Sequence, residues 1–485
     1  MIAGHTQKLT GTTLRNFTVD SSSAFDKQVK TGSGHGIVIA SDNYIVEGLK
    51  VSFCEKDAYH YGLDLMEPAV QTTVAQASNG LALKQTSNGL DTISVGSTTG
   101  FDNSGMFLIV KSSGQAAYMR YGSKTATSFV DCKSNWNGGK TVFTLSTGDK
   151  IIPTYMIYNG TTINTLAYGN AGHGYYVDWH FNACEWGFCR VNGGAVRPTS
   201  AVAQDSSTRN GFMVHASSCT FNTCHSYYVS GNGLQMGDYY SFAAENIAVL
   251  GGTWENNALS GIRVMNNTST CSIVAASIYE NGTATGQGSD VFLGSTARMV
   301  KIQNCNFKPR ATTSTVWANK MIYVQGSTDC VIENCHIDSG YMASFNIYVD
   351  GTVAESSYLT IRNNKVRNKN GGAVFVQFKG NVSNCLVADN VTDSPIEESA
   401  YNAYTPGSNI YRDNVLVPGF NAGITTIANN GSRIVTRGLG NLSYTTATRP
   451  AASATLKGEN IFDTTLNKPL WSDGTNWRDA TGSVV

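Results

Sequence analysis

The chain has 485 residues, 50 glycines, 9 prolines, a hydrophobic fraction of 41% and only 14% charged residues. Soluble globular domains carry about 25% charged residues, so this apolar, turn-rich composition excludes a disordered chain and points to a β-rich body. Lys+Arg and Asp+Glu balance at 34 each, which removes the basic excess that nucleic-acid binding needs.

The first residues, "MIAGHTQKLTGTTLRNF", lack the apolar stretch of a signal peptide, and no apolar run reaches membrane-spanning length. The expectation is a protein folded in a cytoplasm, with neither membrane nor nucleic acid as a partner. Short strands opened by Gly then begin with "GIVIA" at 36 and "GLDLM" at 62, giving N-terminal coils over 1–79. Residues 80–155 break the repeat with five or six short strands between Gly/Ser/Asn turns, and read as an inserted small β-domain.

The pattern resumes over 156–420 with "GYYVD" at 174, "GFMVH" at 211, "GLQMG" at 233 and "GIRVM" at 261, then "VFLG", "IYVQ", "IYVD" and "VFVQ". A second strand follows each: "IVAASI", "IQNCNF", "IENCHI", "IRNNKV" and "LVADNV". Their inward pairs are expected at Ile273/Ile278, Ile302/Phe307, Ile332/Ile337, Ile361/Val366 and Leu386/Val391, with Cys305, Cys335 and Asn364 sharing one slot. Units of roughly 22 to 31 residues with an internal period of two predict an all-β fold, a right-handed single-stranded parallel β-helix or solenoid. Residues 421–485 form a C-terminal capping or trimerisation region, in which Phe462, Leu470, Trp471 and Trp477 sit between turns. The 11 cysteines recur inside apolar strands and read as reduced core residues.

The coil pattern over roughly 30–420 resembles the pectate-lyase-like β-helix of phage tailspikes and depolymerases. The run from Arg449-Pro450 through "FDTTLNKPLWSDGTNWRDATG" looks like a tail-end motif of phage tailspike and appendage proteins. "TISVGSTTGF" in the insert is similar to a small β-module of phage tail proteins. The resemblance implies a homotrimer on the virion, attached to other tail proteins and directed at capsule, O-antigen or teichoic-acid polysaccharide.

Alternation places Ile37/Ile39, Leu63/Leu65, Tyr175/Val177, Phe212/Val214 and Ile262/Val264 inward on the first strands. The outward column then reads Val38, Asp64, Tyr176, Met213, Gln235, Arg263, Phe292, Tyr323, Tyr348 and Phe375, with Asp178, His215, Asp350 and Gln377 in the adjoining one. Flat aromatics beside planar polar groups suit the apolar faces and hydroxyl edges of sugars. Tyr176, Trp179, Gln235, Arg263, Tyr323 and Tyr348 are therefore the expected substrate-binding residues, and Trp186 is a further possible platform.

For catalysis, Asp178 and Asp238 lie two coils apart, on the order of 9 to 10 Å. That spacing is at the upper end of what admits water in inverting glycoside hydrolysis. His215 accompanies them, and Glu255 and Glu280 compete from strand-end turns, as do Glu185 and Glu245. The expected activity is endoglycosidic hydrolysis. The alternatives are a lyase with His215 or Tyr176 as base and Arg263 steadying the enolate, or an adhesin that binds without cutting. No cofactor is expected: neither a Ca²⁺-loop acidic cluster nor a GxSxG elbow occurs.

Overall fold

The computed structural model describes residues 9–485 apart from 21–34, 55, 63–70, 80–90, 112–115, 135–143, 155–156, 171, 179–180, 194–208, 238–243, 267, 283–287, 309–319, 339–344, 368–373, 395, 399–408, 417–432, 436–441, 448, 450 and 453–459. Each coil supplies three short strands, and like strands stack in parallel into three long sheets. Sheet I has 11 strands, from Ile37–Ile39 to Ile396–Glu398. Sheet II has 13, from Thr13–Arg15 to Arg433–Val435, and sheet III has 12, from Thr18–Asp20 to Val415–Leu416. This is the right-handed parallel β-helix that the sequence pattern predicts. No helix occurs among the described residues, and so none that could cross a membrane.

The corner between sheets II and III is one residue at positive φ on each coil. It is Asn164 (53°), Asn304 (54°), Asn334 (55°), Asn363 (54°) and Asp413 (53°). Asn and Asp tolerate this left-handed backbone because their short polar side chains bond locally. Phe188, Thr223 and Ala275 occupy the same corner at about 1–2 kcal/mol each, a cost that the flanking ladders offset.

The next residue turns inward into a slot filled mostly by small side chains, Cys189, Cys224, Ala276, Cys305, Cys335, Asn364 and Asn390, all buried. A buried amide needs a partner. Asn364 Nδ2 donates to Asn390 Oδ1 (3.0 Å), and Asn390 Nδ2 donates to Asn414 Oδ1 (2.8 Å). The glycines that open the sheet I strands answer a different need. A Cβ on Gly233 would stand 2.5 Å from the Gly261 carbonyl oxygen of the next coil.

Between the sheets runs one continuous core. Tyr59 stacks on Tyr175 at 4.7 Å between ring centroids, Tyr175 on Phe212 at 4.6 Å, and Trp186 on Phe221 at 5.0 Å. Trp186 is thus a fully buried core residue and not a sugar platform. In the coil after Ile361/Val366 the inward pair is Val387/Thr392, which pair with them in register, rather than Leu386/Val391. Two similar β-branched neighbours made either parity possible by pattern.

Between Tyr59–Tyr61 and Ile157–Tyr158 the chain leaves the coil for antiparallel strands, with Gly105–Val110 paired to Ala116–Tyr121 and to Lys150–Thr154. They enclose a separate core around Phe107, Ile109 and Phe129. At the C-terminus, Leu442–Tyr444, Asn460–Asp463, Lys468–Ser472 and Trp477–Arg478 form a four-stranded sheet over Ile461, Leu470 and Trp477. Arg449 Nη1 lies 3.2 Å from the fully buried Asp463 carboxylate, and Arg449 Nη2 donates to the Val485 carbonyl at 2.7 Å. The motif's Arg therefore ties the last residue to the sheet.

The aromatic stack sets the cost of a core deletion. Phe212→Ala removes a ring packed against Tyr175, Phe221 and Trp254, and is expected to cost about 3–5 kcal/mol. Denaturant unfolding followed by tryptophan fluorescence measures this, and an unchanged midpoint would refute the packing described.

Candidate functional site

Strict register through sheet I turns residues remote in sequence into vertical neighbours. The central outward column runs Val38, His60, Tyr176, Met213, Gln235, Arg263, Phe292, Tyr323, Tyr348, Gln377 and Glu397. Two members differ from the expectation. The second strand is Tyr59–Tyr61, so His60 occupies the slot expected for Asp64, which lies outside the described residues together with Leu63 and Leu65. Gln377, not Phe375, pairs with Tyr348. Both slips span an even number of residues, which preserves the alternation and is invisible to a period-two pattern.

The distal part of the column is an aromatic and cationic strip. The Arg263 guanidinium lies 4.7 Å from the centre of the Phe292 ring. Phe292 meets Tyr323 edge-on at 5.2 Å, and Tyr323 meets Tyr348 at 5.5 Å. Lys320 Nζ stands over both tyrosine rings, at 4.1 and 4.6 Å, a geometry that attracts a cation to the ring faces. Tyr323 Oη donates to Asp350 Oδ2 (3.2 Å) and accepts from Gln325 Nε2 (3.1 Å). Burial lowers the Lys320 pKa, Lys379 adds to that, and Asp350 opposes it. Burial and the Asp350 charge raise the phenol of Tyr348. Lys320 and Lys379 were not singled out from sequence. Lys320 lies two residues before the IYVQ strand, off the alternating column, where periodicity assigns no side.

The proximal part gathers titratable groups. Asp178 and His215 follow successive sheet I strands, with the His215 N–H donating to the Val177 carbonyl at 2.8 Å. Both side chains are buried, at 4% and 5% exposure. Tyr176 Oη lies 3.5 Å from His215 Nδ1, and the two rings meet edge-on. Gln235 Oε1 accepts from Asn232 Nδ2 (2.9 Å) and Asn210 Nδ2 (3.3 Å).

A further column runs His35, Asp57, His173, Asn210, Asn232 and Ser260, each two residues before its strand, and continues in Ser289 and Lys320, the first residues of theirs. Within it Asn232 Nδ2 donates to Asn210 Oδ1 (3.0 Å), and the Ser260 N–H to Asn232 Oδ1 (3.0 Å). At its head, Asp57 Oδ2 lies 3.0 Å from His60 Nδ1 and 3.3 Å from His35 Nδ1. Burial alone would raise the Asp57 pKa. The contacts of His35 and His60 and the field of His173 outweigh it and hold the carboxyl well below the ordinary range. His35, Asp57 and His60 are the described residues that could hold a metal.

Tyr176, Gln235, Arg263, Tyr323 and Tyr348 thus share one column, with Asp178 and His215 beside it. Asp238 and Trp179 lie outside the described residues. Glu255 and Glu280 do not join this face. Glu255 ends a sheet III strand between Tyr227 and Tyr279, and Glu280 follows at positive φ. Burial, then the hydrogen bond and charge of Glu255, then the charge of Glu280 push the Tyr279 phenol far above its usual value. They form a separate acidic patch on another side of the coil, because each coil's strand ends project at a different corner. Glu185 and Glu245 belong to sheet II and the corner before it, with Glu185 exposed.

The family model of a right-handed β-helix region matches residues 285–426. No curated protein matches the chain in sequence. Among solved structures, the chain is similar to tailspike protein 3 of bacteriophage CBA120, with 12% identity over 68% of this chain and 55% of that one, at a TM-score of 0.30. It is also similar to the tailspike of Acinetobacter baumannii bacteriophage AP22, solved with A. baumannii capsular saccharide (10% identity, 88% and 71% coverage, TM-score 0.37). A third is the GH136 lacto-N-biosidase from Eubacterium ramulus (10% identity, 82% and 62% coverage, TM-score 0.35). The chain spans little more than half the length of the CBA120 protein. Likenesses this remote say nothing of substrate or reaction.

The charges around Lys320 fix how its amine responds to pH. With its pKa lowered, Lys320 should acylate faster than exposed lysines at mildly alkaline pH. Asp350→Asn removes the charge that supports protonation and should speed the reaction. Lys379→Ala removes a like charge and should slow it. Peptide mapping of acetylation against pH reads both, and equal rates in all three proteins would contradict the environment described.

Proposed function

We propose that this chain is the body of a phage tailspike that binds and depolymerises a bacterial surface polysaccharide. The observation that carries the reading is the sheet I column. From Tyr176 to Tyr348 it rises through six coil steps, roughly 29 Å at about 4.8 Å each. Aromatic faces, an amide and a cation line it on either side of Met213, and a surface of that length and chemistry suits several sugar units of a polymer. The balanced charge of the chain and its tail-end motif agree with this reading.

In this proposal Arg263, Tyr323 and Tyr348, with Lys320 and Gln325, hold the glycan, and the chemistry lies at the proximal end. The preferred reaction is hydrolysis. Asp178 and Asp238 share the work, one carboxyl protonating the leaving oxygen and the other activating water, with His215 beside them. The assembly is a homotrimer on the virion, joined to other tail proteins. A second reading rests on the Tyr176–His215 contact. One of that pair would take the C5 proton of a uronic acid and the other would protonate the departing oxygen as the C4–O bond breaks, giving β-elimination.

A panel of capsule, O-antigen and teichoic-acid polymers tests the reading, with polymer size followed by size-exclusion chromatography. Shortening of one polymer without ultraviolet absorbance of an unsaturated product supports hydrolysis, and its appearance supports the lyase. Asp178→Asn and Asp238→Asn should each lower kcat by about 10²–10⁴-fold. Tyr348→Ala should raise KM about tenfold, equivalent to some 1.4 kcal/mol. Binding with no shortening would leave an adhesin, and no binding to any polymer would sink the proposal.

A further inference from the structure

The start of sheet I holds a constellation that glycan chemistry does not use. Three of the chain's eight histidines, His35, His60 and His173, collect there around Asp57. We propose that His35, Asp57 and His60 form a binding site for a divalent transition metal of the zinc class, joining the first two coils of sheet I.

Two of the three ligand spacings are those of neighbouring ligands on one ion. Zinc bonds to imidazole nitrogen and carboxylate oxygen are about 2.0–2.1 Å long, so neighbouring ligand atoms on a tetrahedral or octahedral ion stand about 3.0–3.4 Å apart. Asp57 Oδ2 lies 3.0 Å from His60 Nδ1 and 3.3 Å from His35 Nδ1, and the three ligand atoms fall within 4.8 Å of one another. The widest separation exceeds such an edge, so binding an ion would draw the His35 ring toward Asp57 and His60.

A hydrogen-bonded cluster alone accounts for the arrangement less well. The His35 side chain is 7% exposed, and both its ring nitrogens are buried without a hydrogen-bond partner among the described residues. Its Nδ1 therefore faces Asp57 at contact distance without the direction that a hydrogen bond requires. Burying a polar atom unpaired is unfavourable, and a metal ion would satisfy it.

The surrounding groups orient the ligands as an outer shell does. The His173 N–H donates to Asp57 Oδ1 at 2.8 Å, which fixes the carboxylate and leaves Oδ2 toward the two rings. Tyr176 lies flat on the His60 ring, at 4.8 Å and 8°. The His173 ring stays outside the set, because its Nδ1 accepts the Asn210 N–H at 3.0 Å. Two imidazoles and one carboxylate suit zinc-like ions, whereas calcium and magnesium require mainly oxygen donors.

The full-length chain, stripped with chelator and shown by circular dichroism to be folded, provides the test on titration with Zn²⁺ and with Co²⁺. The expected result is one ion per chain, visible Co²⁺ d–d bands of a low-symmetry site, and a higher melting temperature with Zn²⁺. His35→Gln should weaken binding at least tenfold with the fold intact, because its side chain lies at the rim of the cluster. His336→Gln, exposed on sheet III, should titrate as wild type. Asp57→Asn should abolish binding, and if it fails to fold, the His35 variant still decides. A wild-type chain that stays metal-free, uptake of several weak ions without Co²⁺ bands, or unchanged titration of His35→Gln would overturn the site.

Discussion

Parallel hydrogen bonding between successive coils is the constraint from which the rest of this structure follows. Each strand is only two or three residues long over much of the body, too short to hold a register by itself. Register is imposed at the corners, where one left-handed residue and one small inward residue repeat at the same place on every coil. Once the corners align, the backbone ladders, the aromatic stack and the buried amide ladder align with them. A slip of one residue in a strand would turn that strand's side chains outside in.

The same constraint makes the functional surface. A parallel solenoid converts sequence distance into height, so Arg263 and Tyr348, 85 positions apart in the chain, stand three coil steps apart on one face. No loop has to position them. The rigidity of sheet I holds the aromatic strip in place, and such preorganisation favours binding because little ordering remains to be done. The cost of such a surface lies in burying charge. Lys320 sits partly out of solvent against tyrosine rings, Asp350 is buried nearby and its charge favours the protonated amine, and the acidic patch of Glu255 and Glu280 is kept apart on sheet III.

Polar burial recurs at the head of the sheet. Asp57 anchors one histidine by its backbone and two by their rings, and the polar column continues from it through Asn210 and Asn232 to Ser260. From His35 to Ser260 this column lies beside the outward column of sheet I. Binding chemistry and structural polarity thus run side by side along the same edge, one presented outward by strand alternation, the other turned by the corner into the body.

The sequence by itself determined the architecture, because a solenoid is specified locally. Opening glycines, corner asparagines, small inward cysteines and period-two strands recur from unit to unit, and each acts over a few residues. It also determined that Tyr176, Gln235, Arg263, Tyr323 and Tyr348 stand on one column, since alternation alone assigns their side. What only the tertiary structure decided were relations that alternation leaves degenerate. Even-numbered slips put His60 in place of Asp64 and Gln377 in place of Phe375 with no change of pattern. Trp186 turned into the core because its strand belongs to sheet II, packed on Phe221. Residues just before a strand or opening one, His35, Asp57 and Lys320 among them, lie where periodicity begins, so their meeting depends on how successive coils stack, a three-dimensional fact that no single coil's residues contain.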